Sequence, residues 1–227
     1  MTLIGSGFPN LYTKGMACAI CQIRRPRRYC PGVNGDICSI CCGTEREVTV
    51  SCPLDCPYLH EARKHDRPLP LDEEQIPNRE IRVSEEFLAE HEALLLASGQ
   101  ALCAAGLATP GAVDFDIRDT LAALIRTYRT LESGLYYESL PENAVAAQIY
   151  RYLHEALAAF RQQETEQLGM ARTRDADVLA ILVFLQRLEL DRNNGRPRGR
   201  AFLDFLREIY PSSPGVPTAG SPSLIVG

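Results

Sequence analysis

Eight of the nine cysteines fall between Cys18 and Cys56, in the order Cys18-x2-Cys21, Cys30, Cys38-x2-Cys41-Cys42 and Cys52-x3-Cys56, with His60 and His65 just beyond. A Cys-x2-Cys pair closes a tight turn from which two thiolates reach one ion at about 2.3 Å, while neighbouring peptide amides donate to the sulfurs. Two such pairs are present, and eight thiols suffice for two tetrahedral sites. Adjacent side chains diverge from the backbone, so Cys41 and Cys42 are assigned to different ions. That division gives Cys18, Cys21, Cys38 and Cys41 for a first zinc and Cys30, Cys42, Cys52 and Cys56 for a second, the two sets interleaving along the chain. His60 lies one helical turn beyond Cys56 and is an optional extra ligand, in place of Cys42 or Cys30.

Thiols at this density have competing uses. A disulfide framework needs an oxidising compartment, and the start Met1-Thr2-Leu3-Ile4-Gly5 lacks the charged and apolar segments of a signal peptide. The expectation is therefore a cytoplasmic chain whose cysteines bind metal. An iron-sulfur cluster is the second choice of cofactor, and a thiol redox or metal-responsive regulator is a third reading of the same residues. Zinc is favoured as a structural ion, because four thiolates leave no open position for water or substrate. No enzymatic activity is expected.

The interleaved spacing resembles the cross-brace two-zinc modules of the RING, MYND and HIT-type finger families, over residues 16 to 65 alone. Those families typically include a histidine among the later ligands, which this run of thiols does without. The stretch Cys41-Cys42-Gly43-Thr44, taken with Cys52-Pro53-Leu54-Asp55-Cys56-Pro57-Tyr58-Leu59, is also similar to bacterial cysteine-rich proteins, a likeness that implies no activity.

What must position these thiols is a small segment with few large apolar side chains. A piece of this size seldom folds without staples, so metal is expected to hold it. Structural zinc in finger peptides contributes about 10 to 16 kcal/mol, more than the stability of many domains.

Between the first knuckle and Cys30 runs Arg24-Arg25-Pro26-Arg27-Arg28-Tyr29. Arginine forks grip phosphate and a tyrosine face stacks on an unpaired base, so Arg24, Arg25, Arg27, Arg28 and Tyr29 form a candidate surface for RNA or single-stranded DNA. The plainer reading is a solvated turn whose charge offsets the formal −2 of a zinc bound by four thiolates. Overall charge favours that plainer reading. The chain of 227 residues has a net charge of −5. Residues 1–70 hold nine Lys and Arg against six Asp and Glu, a balance of +3, while residues 71–227 balance at −8. Any polyanion contact would be local to the first part.

The remaining chain reads as helical. The expected organisation is an N-terminal extension at 1–15, the two-zinc module at 16–66, a proline-rich acidic linker at 67–83, an antiparallel bundle of about five helices at 84–210, and a disordered tail at 211–227. Ser84 offers an N-cap to a helix running to about Leu107. Leu121, Leu124, Ile125, Tyr128 and Leu131 mark a second helix, capped by Asp116 or Asp119. A third is expected to hold Pro141 in its first turn and to end near Gly169. Thr173 is expected to cap a fourth, which is apolar on every side between Val178 and Leu188 and so forms the buried centre. The fifth carries Phe202 to Ile209. The arginines of Asn193-Asn194-Gly195-Arg196-Pro197-Arg198-Gly199-Arg200 belong to a loop and are expected to be exposed. Tyr128, Tyr136, Tyr137, Tyr150 and Tyr152 serve either as core or as pocket lining. His91 and His154 read as structural helix residues and Cys103 as a small buried hydrophobe.

No stretch is long and apolar enough to span a membrane, and no His-Glu-x2-His, Gly-x-Gly-x2-Gly or Gly-x4-Gly-Lys pattern occurs. The fold class is accordingly mainly α with a small N-terminal two-zinc cysteine-rich module. The expected function is a zinc-binding adaptor with a protein or polyanion partner, nucleic-acid binding being the alternative.

Overall fold

A computed structural model of the chain describes residues 17–66, 76–135 and 137–210. The N-terminal extension, most of the linker, Tyr136 and the C-terminal tail lie outside the described residues. Two compact units are present among those described, residues 17–66 together with Arg196–Arg198, and residues 76–195 together with 199–210.

The first unit opens with a knuckle at Cys18–Gln22, where Gln22 N–H donates to Cys18 O at 2.8 Å and Gln22 takes a left-handed φ of 55°. A hairpin follows, β1 (Arg28–Cys30) antiparallel to β2 (Gly35–Ile37), with Tyr29 opposite Asp36. Its turn places Asn34 at φ 51°, a conformation asparagine tolerates better than most residues. Next comes α1 (Ser39–Thr44), whose N-cap is Cys38. A loop leads to α2 (Pro57–Arg63), where Pro57 sits in the first turn and needs no amide partner. Gly32 is required by packing, because a Cβ there would stand 2.7 Å from both Ser51 O and Val50 Cγ1. Buried apolar groups in the unit are few. Ile37 packs with Cys18, Cys38 and Cys41, while Val50, Leu54 and Leu59 are buried elsewhere in the unit.

Among the described residues the second unit is a bundle of six helices: α3 (Glu85–Glu90), α4 (Glu92–Ala108), α5 (Asp114–Glu132), α6 (Ala144–Leu168), α7 (Asp175–Arg192) and α8 (Ala201–Ile209). Mainly helical architecture with a small N-terminal module is thus what the chain adopts. The expected first helix is two, because His91 at φ −107°, ψ 26° interrupts it; its Nδ1 lies 3.0 Å from Phe87 O. Ser84 caps α3 as the sequence implies, its Oγ accepting from Phe87 N–H at 3.1 Å. The other caps shift. Val113 is the N-cap of α5 and Asp116 sits inside the first turn, its Oδ2 accepting from Val113 N–H at 2.9 Å. Asn143 caps α6 and leaves Pro141 outside it. Arg174, not Thr173, precedes α7, and Thr173 donates its hydroxyl to Glu164 instead.

α5 and α7 form the centre, with α4, α6 and α8 packed around them. Val178, Leu179, Ile181, Leu182, Val183 and Leu185 of α7 are all buried. Several polar groups in this core are paired. Thr120 donates to Ala146 O at 2.9 Å, and Asp114 accepts from the Phe202 and Leu203 amides at 3.0 and 3.1 Å, closing the start of α8. Tyr128 and Tyr150 are core residues, whereas Tyr152 and Tyr137 are exposed. Cys103 is buried. No helix among the described residues is long and apolar enough to cross a membrane.

Candidate metal centre

Two turns of backbone bring four thiols together. The knuckle supplies Cys18 and Cys21, and the first turn of α1 supplies Cys38 and Cys41. Their sulfurs all lie within 4.8 Å of one another, and three of the four residues are buried. The hairpin makes this meeting possible. Arg27 N–H donates to Ile37 O and Ala19 N–H to Asp36 O, both at 2.8 Å, so the strand entering α1 lies directly against the knuckle.

Peptide amides are aimed at the sulfurs. Cys38 N–H donates to Cys18 Sγ at 3.2 Å, and Cys41 N–H donates to Cys38 Sγ at 3.4 Å, the latter serving also as the helix cap. Burial pushes the Cys18 thiol up, but the amides of Cys21, Cys38 and Ile20 outweigh it and bring the group down to about 6. Cys41 moves the other way, pushed up to about 12 by burial and by the neighbouring thiols. Like charges packed this closely resist full ionisation unless a cation lies among them. The donor set fits that need: four soft sulfurs, Cys18 and Cys38 among them supported by peptide amides, with no carboxylate or water-bearing group in the set, match a tetrahedral thiolate ion site.

The other four cysteines are placed differently. Among the described residues the four-sulfur group above is the only cluster that close. Cys30, Cys42, Cys52 and Cys56 instead surround a cavity of about 20 Å³. Cys41 and Cys42 do face different surroundings, Cys41 in the buried group and Cys42 on the cavity wall. The Glu47 amide hydrogen-bonds Cys52, whose thiol burial pushes up, as do the charges of Glu47, Cys30 and Cys56. His60 is half-buried on α2 and belongs neither to the four-sulfur group nor to the cavity wall.

The arginine run divides. Arg24 hydrogen-bonds Cys38, which together with the charges of Cys21 and Cys41 raises its already high pKa. Arg28 Nη1 donates to Cys42 Sγ at 3.9 Å and its guanidinium lies 3.8 Å over the Tyr58 ring. Arg25, Arg27 and Tyr29 are exposed, and Tyr29 donates its hydroxyl to Asn34 at 2.5 Å. Two residues of the unit carried no local signal in the sequence. Arg46 Nη2 donates to Cys42 Sγ at 3.9 Å, and Glu47, a non-glycine residue at φ 54°, has a carboxylate buried against Arg63. Arg196 and Arg198, read from sequence as exposed loop residues, belong to this unit: Arg198 N–H donates to Glu47 O and Arg196 Nη1 to Arg46 O, each at 2.8 Å.

No family model, curated protein or solved structure matches the chain.

Proposed function

We propose that the chain is a non-enzymatic zinc protein, an adaptor whose N-terminal module is folded around two structural zinc ions and is joined to a helical interaction domain. The observation that carries this reading is the group formed by Cys18, Cys21, Cys38 and Cys41, with its sulfurs within 4.8 Å of one another. A closed set of four sulfurs anchors backbone and offers no site for a reacting molecule. The cross-brace likeness of the RING, MYND and HIT-type fingers agrees with a docking role, as does apolar surface on the module. Ile23 at the knuckle is 85% exposed and Ile40 on α1 is 51% exposed, which favours a protein partner. A polyanion is the less supported partner, because Arg24 and Arg28 are engaged with thiols.

Elemental analysis and limited proteolysis of the reduced full chain test the reading. Zinc should co-purify, and Cys21→Ser should release metal and open residues 17–66 to protease while the far-UV helical signal of the bundle persists. Iron with visible absorbance would redirect the reading to electron transfer. Freely titrating thiols in metal-loaded protein would redirect it to a thiol switch.

A further inference from the structure

We infer that Cys30, Cys42, Cys52 and Cys56 hold the second ion around their shared cavity, and that Arg28 and Arg46 are its positioning residues, neutralising the site through Cys42. The inference rests on the zinc reading above and deepens it by assigning the outer shell of the second site. All four thiols line one cavity of about 20 Å³, room for a single water-sized or ion-sized occupant, and since no three of their sulfurs lie within 4.8 Å of one another they must draw inward to close on an ion. Ile37 and Leu59 share its wall.

Charge distinguishes this cavity from the first group. Four thiolates around a divalent ion leave a formal −2 that must be offset locally when the site is partly buried. In the first group peptide amides carry much of that task, through the Cys38 and Cys41 N–H groups. At the second, two guanidiniums converge on one sulfur, Arg28 Nη1 and Arg46 Nη2 each 3.9 Å from Cys42 Sγ. Their combined +2 matches the charge to be offset. Both are held in place independently of the sulfur. For Arg28 this is the guanidinium, which lies against the Tyr58 face; for Arg46 it is the backbone, whose carbonyl accepts from Arg196. The two ion sites therefore differ in what supports them. At the first, peptide amides are joined by one guanidinium, Arg24 beside Cys38; at the second, two guanidiniums meet a single sulfur.

Cobalt(II) titration of the reduced full chain, followed by competition with zinc, tests this. The wild type should take two equivalents, each with sulfur-to-metal charge-transfer absorption of similar strength. Cys52→Ser should lose the second equivalent and keep the first. Arg28→Ala/Arg46→Ala should weaken the second equivalent by about 10- to 100-fold and leave the first within experimental error. Arg46→Lys, which restores charge without the planar fork, should recover part of that loss. Saturation at one equivalent, with four thiols still open to alkylation, would overturn the second site and leave the first standing. Uptake of no metal would overturn the zinc reading itself. Two equivalents that are weakened alike, or not at all, by the double alanine variant would overturn the arginine assignment.

Discussion

Arg63 Nη2 donates to Glu47 Oε1 at 2.8 Å, with the glutamate side chain 1% and the arginine 15% exposed. Glu47 is a junction of the metal-binding unit. Its amide reaches Cys52, its carbonyl accepts from Arg198, and its carboxylate meets α2 through Arg63. Removing one member of a buried ion pair strands the other charge in a poor solvent, at a cost of about 3 kcal/mol. Arg63→Ala should therefore speed alkylation of Cys52 and Cys56 under native conditions, read by mass spectrometry, and Arg63→Lys should restore part of the protection. Unchanged alkylation would mean that the pair does not secure this loop.

Gly32 makes a second structural demand on the same unit. A methyl group there meets a backbone oxygen at 2.7 Å, so either the hairpin turn or the Val50–Ser51 segment must shift. Gly32→Ala should cost about 1 to 3 kcal/mol, within the range for overpacking. Zinc release to a chromophoric chelator should accelerate, and release at the wild-type rate would show that the segment yields without strain.

Within the bundle, Arg118 meets Glu189 through two bonds, Nε to Oε2 at 2.8 Å and Nη2 to Oε1 at 3.2 Å, joining α5 to α7. Burial pushes the Glu189 carboxyl up against the opposing pull of Arg118. Arg118→Ala leaves that carboxylate without its fork and should lower stability by about 3 kcal/mol. Glu189→Gln keeps a neutral acceptor and should cost less. Urea unfolding followed at 222 nm measures both, and equal losses would contradict a charge-based role for the pair.

Acid should weaken the same bundle through Asp177. Burial pushes its carboxyl up, but bonds from the Arg174 side chain and amide, with the nearby charges of Arg174 and His91, outweigh burial and hold it below the ordinary carboxylate range. The folded state thus binds the proton less readily than the unfolded chain, whose carboxyl titrates near 4. Its contribution is present above pH 4 and is lost as pH falls through the lower folded value. Asp177→Asn should flatten the decline in urea midpoint between about pH 5 and pH 3 relative to wild type. Parallel declines would remove Asp177 from the acid response.

The thiol pairs were readable in advance because their ligand spacing is local: a knuckle and a helix start each need three residues of separation, and both are written in contiguous sequence. The divergence of Cys41 and Cys42 was readable for the same reason. Arg46 and Glu47 were not, since their roles arise where a loop returns toward α1 and α2 and nothing in the neighbouring residues encodes that return. The same limit applies to Arg196 and Arg198, 150 residues from the Arg46 carbonyl that Arg196 meets. In the bundle, apolar periodicity located the helices. Cap positions moved by one to three residues because backbone and Asp116 or Asp177 satisfy the first amides from inside the helix. The break at His91 has no glycine or proline to announce it.

X-ray absorption at the zinc edge on the reduced full chain tests the central claim most directly. Sulfur alone should surround the metal, four atoms at about 2.3 Å, with Cys21→Ser lowering the metal content. Nitrogen or oxygen neighbours in place of those sulfurs, or a protein that folds with no bound metal, would contradict it.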